Sequence, residues 1–340
     1  MSSIITIICV ILVFGIVILV HEFGHFATAK LFGVKVHEFA IGMGPALLKH
    51  QKGETLYSLR AFPMGGYVKM EGEDEESEDE RAFGNKKPYM RFIILAAGAF
   101  MNFVLGFLLL VILVSCDKSA AIGSNIVESV PENYHSYEAG LKEGDVIVNV
   151  NGSKVRIQSD IAYSLSNEGD NDVTVKRGNE KIKLKIPLTE IDGQHYLGVV
   201  TKRLDKTPVN VIKYSYCQMF TVIKLTYKSF FDMFKGKVKV DQMSGPVGII
   251  TEINSAAKRG FFDVLSLLIL ITLNLGVVNL FPLPALDGGR LVFVLYEMIT
   301  RKKVKTEFEA VIHLVGFAVL ILFMLYITKN DIIKLFVRGG

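Results

Sequence analysis

The chain reads as a multi-pass α-helical membrane protein with four transmembrane helices, a β region after the first and an α+β domain inserted after the second. Three observations predict this. Half of its 340 residues are hydrophobic, and mean hydropathy is positive. Apolar runs of span length occur at residues 4–20, 92–114, 264–280 and 311–327. Between the second and third of these the composition turns polar and strand-like. A net charge of +4 is too small to point to a nucleic acid partner. The three cysteines, Cys9, Cys116 and Cys217, form no CxxC pair and no even framework, so neither a disulfide scaffold nor a thiolate metal site is expected.

The first span is assigned to residues 1–32. Met1-Ser2-Ser3 supplies no positive leader, no small-residue cleavage pattern follows, and the apolar character continues to Phe32, so a retained helix is expected rather than a cleaved signal peptide. It carries His21-Glu22-Phe23-Gly24-His25. Residues four apart share a helix face, so His21 and His25 can offer two imidazoles to one Zn²⁺ while Glu22 takes a proton from the water that attacks a peptide carbonyl. The alternative is a solvated helix face, but ionisable groups beside a span are costly and read as functional. At 1.5 Å per residue His21 lies about 25 Å along from Ile4, near the far edge of a hydrocarbon core about 30 Å thick. Gly33 ends the helix.

Residues 33–91 form a cytoplasmic or reentrant β region followed by an acidic linker. Strand-like alternation around 34–36 and 55–60 is broken by Gly42, Gly44, Pro45, Gly53, Pro63, Gly65 and Gly66. Two arrangements fit: hairpins dipping into a protein-lined cavity, where irregular backbone is tolerated, or a small cytoplasmic sheet. The run 71–80, EGEDEESEDE, has nothing apolar to bury and is expected to be a mobile, solvated linker. The second span, 92–115, places Ala96-Ala97-Gly98-Ala99 where another helix can approach closely, with Asn102 able to hydrogen-bond across that contact in a structural role.

Residues 117–203 have a soluble composition. A turn at Gly140-Leu141-Lys142-Glu143-Gly144-Asp145 leads into a strand and an Asn151-Gly152 turn, and 173–186 reads as a hairpin about Arg177-Gly178-Asn179. The stretch resembles a PDZ domain of the bacterial protease type, which implies binding of an extended peptide or C-terminus along a sheet edge; the alternative is a small β domain that only obstructs access. Residues 204–262 are expected to be an amphipathic interfacial region, because Lys213, Lys224, Lys228 and Lys235 interrupt its apolar positions, followed by a tight turn at Gly245-Pro246-Val247-Gly248-Ile249.

The third span, 263–300, must break at Asn279-Leu280-Phe281-Pro282-Leu283-Pro284-Ala285-Leu286-Asp287-Gly288-Gly289, since two prolines remove donors and block continuation. A carboxylate on a broken membrane helix makes sense as a cation ligand, and the pair His21 and His25 lacks a third protein ligand. Asp287 is therefore preferred over Glu38, which lies beyond Gly33, and Glu297, which has no comparable loop. The fourth span is 308–328, with His313 expected to be a packing residue, and 329–340 a C-terminal tail forming a short surface helix.

With HEFGH in its first span, NLFPLPALDGG in its third and a PDZ-like insert between, the chain resembles the site-2 proteases, and more narrowly the regulator-of-sigma-E branch of bacterial intramembrane zinc metalloproteases. The resemblance implies that His21, His25 and Asp287 bind zinc, that Glu22 is the catalytic base, and that Asn279, Pro282 and Pro284 lie beside the substrate. It also implies that Gly65, Gly66 and Tyr67 belong to a membrane-reentrant sheet, and that the 245–249 turn lies near the active site. The implied reaction is cleavage of a transmembrane segment of another membrane protein, such as an anti-sigma factor. Partners are then that substrate, a peptide at the PDZ-like domain and the lipid bilayer, with no nucleic acid. Two departures stand out: a single PDZ-like domain where larger members carry two, and Ala97-Gly98-Ala99-Phe100-Met101-Asn102 where the family often has AGPxxN.

Basic residues in the 33–91 and 301–305 connections fall on one side of a four-span topology, which predicts that side to be cytoplasmic and the PDZ-like domain to lie outside; the resemblance implies that the membrane is a bacterial inner membrane. Lys329, Lys334 and Arg338 in the outer tail count against this. Two rivals remain from other classes: a non-catalytic membrane PDZ scaffold with a structural metal site, and a transporter with a helix broken around an ion. Four spans without internal repeat disfavour the second.

Overall fold

Helix α1 (Ser3–Leu31) is unbroken for 29 residues because no proline interrupts it and nearly every position is apolar. The computed structural model describes residues 3–73, 75–167, 169–236 and 244–338; Asp74 of the acidic run, part of the 204–262 region and the last two residues of the tail lie outside these. Gly33, at φ +68°, turns the chain out of α1. Strands β1 (Val36–Lys52) and β2 (Thr55–Met70) follow. Each is bent near its middle, at Gly42 and Gly44 in β1 and at Gly65 in β2, all with positive φ. Residues 36–41 consequently pair on one side with 66–70 and on the other with 56–59, while 46–52 pair with 55–60. Segment 66–70 has a partner on one side only in this ladder and is an edge.

The acidic run differs from its expected state. Glu71 accepts hydrogen bonds from Ser77 and His37 and lies 3.6 Å from the Lys35 ammonium, Asp79 bonds Lys35 at 3.3 Å, and Glu73 pairs with Arg290. Glu71, Glu73 and Asp79 are therefore held by Lys35, just before β1, by His37 and by Arg290 from a late helix, and these residues of the run are tied to the protein rather than free in solvent.

Helix α2 (Pro88–Cys116) begins with proline at its first position, where the missing N–H costs nothing. Residues divide into two units, 1–109 with 226–340, and 110–225. In the first, Ala29, Val34, Phe39, Val68, Ile94, Leu291 and Val294 form a core joining α1, the sheet, α2 and a helix from the C-terminal third.

In the second unit, β3 (Ile122–Ser129), α3 (His135–Glu138), β4 (Val146–Val150), β5 (Ser153–Lys154), α4 (Gln158–Ser164), β6 (Asn171–Arg177), β7 (Glu180–Ile186), β8 (Thr189–Ile191), β9 (Gln194–Tyr196) and β10 (Val200–Leu204) follow in order. The main sheet runs β10-β3-β4-β6-β7 with β5 on β4. The expected hairpin is present as β6 and β7, and Asn151 and Gly152 both take positive φ in the expected turn. Val127, Leu141, Ile147, Val150, Val173 and Ile186 fill the core. Asp145 is fully buried beneath this sheet. Burial pushes its carboxyl up, but the Arg177 guanidinium at 2.7 Å and the Lys142 N–H hold it below the usual carboxylate range.

Helix α5 (Pro208–Phe234) precedes α6 (Pro246–Arg259), α7 (Phe261–Asn279), α8 (Asp287–Thr300) and α9 (Thr306–Arg338). Two expectations are corrected here. Residues 245–249 are not a tight turn: Gly245 caps α6 and Pro246 starts it, and the Gly248 N–H donates to buried Asp331 of α9 at 2.8 Å. The C-terminal tail is not a separate surface helix either, because no glycine or proline lies between Gly316 and Arg338 and α9 runs through. Among the described residues, four helices are long and apolar enough to cross a membrane: Thr6–Leu31, Pro88–Cys116, Phe261–Asn279 and Glu307–Lys334.

Candidate metal centre

The first unit brings α1, α2 and the α7–α8 connection to one point. His21 Nε2 and His25 Nε2 lie 3.3 Å apart, and Asp287 Oδ2 lies 3.2 Å from the first and 3.3 Å from the second. Both imidazoles are buried. The sequence motif explains the histidine pair, but Asp287 arrives by a different route. Asn279 ends α7, the chain crosses Pro282 and Pro284, and α8 restarts on Asp287 itself. Gly288 and Gly289 allow this sharp re-entry, since a Cβ on either would overlap the carbonyl of Phe281 or Leu283. Ala285 takes φ +71°, which a side chain rarely tolerates, and its N–H donates to His313 Nδ1 at 2.9 Å. His313 thus secures the loop, as a packing residue would, and Pro284 packs against Gly316 of α9.

The rival carboxylates are elsewhere. Glu38 is engaged by Ser58 and Arg60, and Glu297 by Arg91 at 2.6 Å. Of the remaining predicted site residues, Asn279 reaches the cluster, its Nδ2 lying 3.2 Å from His21 Nε2. Glu22 lies beside His21, His25 and Asp287. Gly66 sits against its stem: a Cβ there would stand 3.0 Å from Glu22 Cγ. Gly65 turns β2 beside Met43. Tyr67 does not join the cluster; Arg60 lies over its ring at 5.1 Å. Pro282 shapes the loop.

The donor set suits a small divalent cation. Two imidazole nitrogens and one carboxylate oxygen lie within 4.8 Å of one another, the combination of three protein ligands that leaves a fourth position open. Asp287 Oδ2 is buried and, among the described residues, accepts no hydrogen bond with good geometry, which is costly without a cation. Gly98 of α2 forms the wall opposite, where any Cβ would overlap His25 Nε2. A cavity of about 530 Å³ lined by Ala285, Leu286, Asp287, Arg290 and His313 opens beside the carboxylate.

Two contacts are not legible in the sequence. His25 Nδ1 lies 2.8 Å from the Ile94 carbonyl, and Asn102 reaches His21 Nδ1 at 3.2 Å. From sequence Asn102 is expected only to bridge two helices; its place after a run of small residues is the available signal.

Two imidazoles, a carboxylate and an adjoining glutamate gathered by α1, α2 and the α7–α8 connection, in a chain with helices apolar and long enough to cross a membrane, define a helical membrane protein of the metal-hydrolase class. The model of peptidase family M50 matches residues 9–323, and the chain belongs to that family. It is 39% identical to a candidate zinc metalloprotease of Clostridium acetobutylicum over 336 residues, covering 97% of this chain and 98% of the relative. A candidate zinc metalloprotease of Fusobacterium nucleatum is 37% identical over 344 residues, 97% and 99% of the two chains. The regulator of sigma-W protease RasP of Bacillus subtilis is 29% identical over 418 residues, 97% and 99%.

Proposed function

We propose that this membrane metalloprotease hydrolyses a peptide bond within or beside a transmembrane segment of another membrane protein, with zinc held by His21, His25 and Asp287. The carrying observation is the convergence of these three ligand atoms within 4.8 Å inside apolar helices. Zinc, when bound, supplies Lewis acidity toward the scissile carbonyl and toward water. Glu22 takes the proton from the attacking water on a carboxylate oxygen and returns it to the leaving amine. Asn279 directs its amide N–H toward the oxygen that gains negative charge.

A substrate helix hides its carbonyls in its own hydrogen bonds and must unwind before attack. The 66–70 edge supplies replacement partners along an extended chain. Leu56, by contrast, pairs on both sides and is interior, so within β2 the edge role belongs to 66–70. Met43, Leu47, Leu48 and Phe62 are each more than half exposed, which supports a sheet dipping into lipid. Gly66→Val would press on Glu22 and the Ala40 carbonyl. It is expected to raise KM and lower kcat while zinc content stays unchanged; wild-type cleavage kinetics would remove the edge from the reaction.

The second unit acts as a PDZ-like module for an extended peptide, outside the cytoplasm, with the chain in a bacterial inner membrane and the HEFGH end toward the cytoplasm. An anti-sigma factor is the substrate class in keeping with a relative that regulates a sigma factor. The reading is tested by metal analysis and by cleavage of a model transmembrane substrate in detergent. Asp287→Asn is expected to lose most bound zinc and all cleavage, and zinc occupancy equal to wild type would end its role as ligand.

A further inference from the structure

We infer that Asn102 is a positioning residue for His21: its side-chain oxygen accepts a hydrogen bond from Nδ1–H and so keeps Nε2 unprotonated and aimed at the metal position. The inference rests on the reading of His21 as a ligand. His21 points Nε2 into the cluster, 3.2 Å from Asp287 Oδ2, so Nδ1 faces away, toward α2. There it meets the Asn102 amide at 3.2 Å, a side chain with 0% exposure.

The neighbouring ligand shows which proton arrangement the site requires. His25 Nδ1 lies 2.8 Å from the Ile94 carbonyl oxygen, which can only accept, so Nδ1 carries the proton and Nε2 carries the lone pair. Ile94 and Asn102 lie about two turns apart on α2, and Gly98 between them lets both rings approach. One helix thus holds the outer nitrogens of both imidazoles.

For His21 the same arrangement needs an acceptor at Nδ1. An amide N–H there would donate to Nδ1, force the proton onto Nε2 and leave no lone pair for a cation. Amide oxygen and nitrogen have the same shape and are told apart by their partners. Asn102 Oδ1, turned away from the ring, is buried and has no hydrogen-bond partner among the described residues. In either orientation one amide atom lacks a partner on that side, so the imidazole decides, and a ligating His21 selects the oxygen. The Asn102 backbone carbonyl separately accepts from Thr272 Oγ1 at 3.4 Å, a contact of α2 with α7 that does not depend on the side chain.

The test uses the full-length chain purified in detergent. It measures zinc affinity by competition with a chromogenic chelator, and thermal stability with zinc removed, for wild type, Asn102→Leu and Asn102→Asp. Outer hydrogen-bond partners of metal-bound histidine typically affect affinity by about 10- to 100-fold. Asn102→Leu is expected to weaken zinc binding by that much with little change in the zinc-free melting temperature, and Asn102→Asp, which still accepts from Nδ1–H, to bind zinc at least as tightly as wild type. Should the leucine variant fail to fold, Asn102→Ala takes its place with the same expectation. Wild-type zinc affinity in the leucine or alanine variant overturns the inference, as does an aspartate variant no better than leucine. A wild-type chain that binds no zinc overturns instead the ligand reading beneath it.

Discussion

Glu22→Gln is expected to bind zinc as the wild type does and to lose cleavage by about 10²- to 10⁴-fold, the usual contribution of a positioned general base. The amide matches the carboxylate in size, and Glu22 makes none of the close contacts among the ligand atoms of His21, His25 and Asp287, so the metal position keeps its donors. What disappears is the only acidic side chain of α1, which has the histidine pair and Asp287 within electrostatic reach. Zinc content by elemental analysis and turnover of a transmembrane substrate in detergent measure the two effects separately. Wild-type turnover would move the base elsewhere. The same variant, expressed in cells, should hold uncleaved substrate, and the species that co-purifies identifies it.

Gly98→Ala should abolish zinc binding and cleavage together, although it adds a single methyl group. That methyl would overlap His25 Nε2 and stand 2.7 Å from His21 Cε1. Neither ring has room to retreat. His25 is held through Nδ1 by the Ile94 carbonyl, and α1 packs so closely on α2 that a Cβ at Gly24 would overlap the Ala97 carbonyl, so there is no gap to take up the methyl. Overpacking of this kind usually costs about 1–3 kcal/mol where neighbours can adjust; here the neighbours are the ligands. Gly15→Ala is the control, since a Cβ at Gly15 meets nothing within 4 Å. Zinc content at wild-type level in Gly98→Ala would mean that α1 and α2 do not approach as described.

Much of the centre is legible because each half is a local pattern. HEFGH needs only the helical repeat, and the prolines of the 279–289 stretch demand a break whatever surrounds them. Their meeting follows from an unsatisfied ligand count, and the structure joins Asn279 to His21 across 258 residues of sequence. The parts that escape depend on partners from distant elements. Charge repulsion alone makes 71–80 a loose linker, but Lys35, His37 and Arg290 offset that repulsion from outside the run. Glycine and proline at 245–246 suggest a turn until Asp331 is available to satisfy the first N–H groups of a helix. Asn102 bears on the site only once α2 is packed against α1, which no local spacing reveals.

The hydrogen bond from Gly248 to Asp331 has a practical side. Asp331 is 4% exposed, and its carboxylate lies against Gly245 and Gly248 at the start of α6. Truncations that take away Asp331 would remove that anchor and release the last span from α6. Asp331→Ala removes the same anchor without shortening the helix.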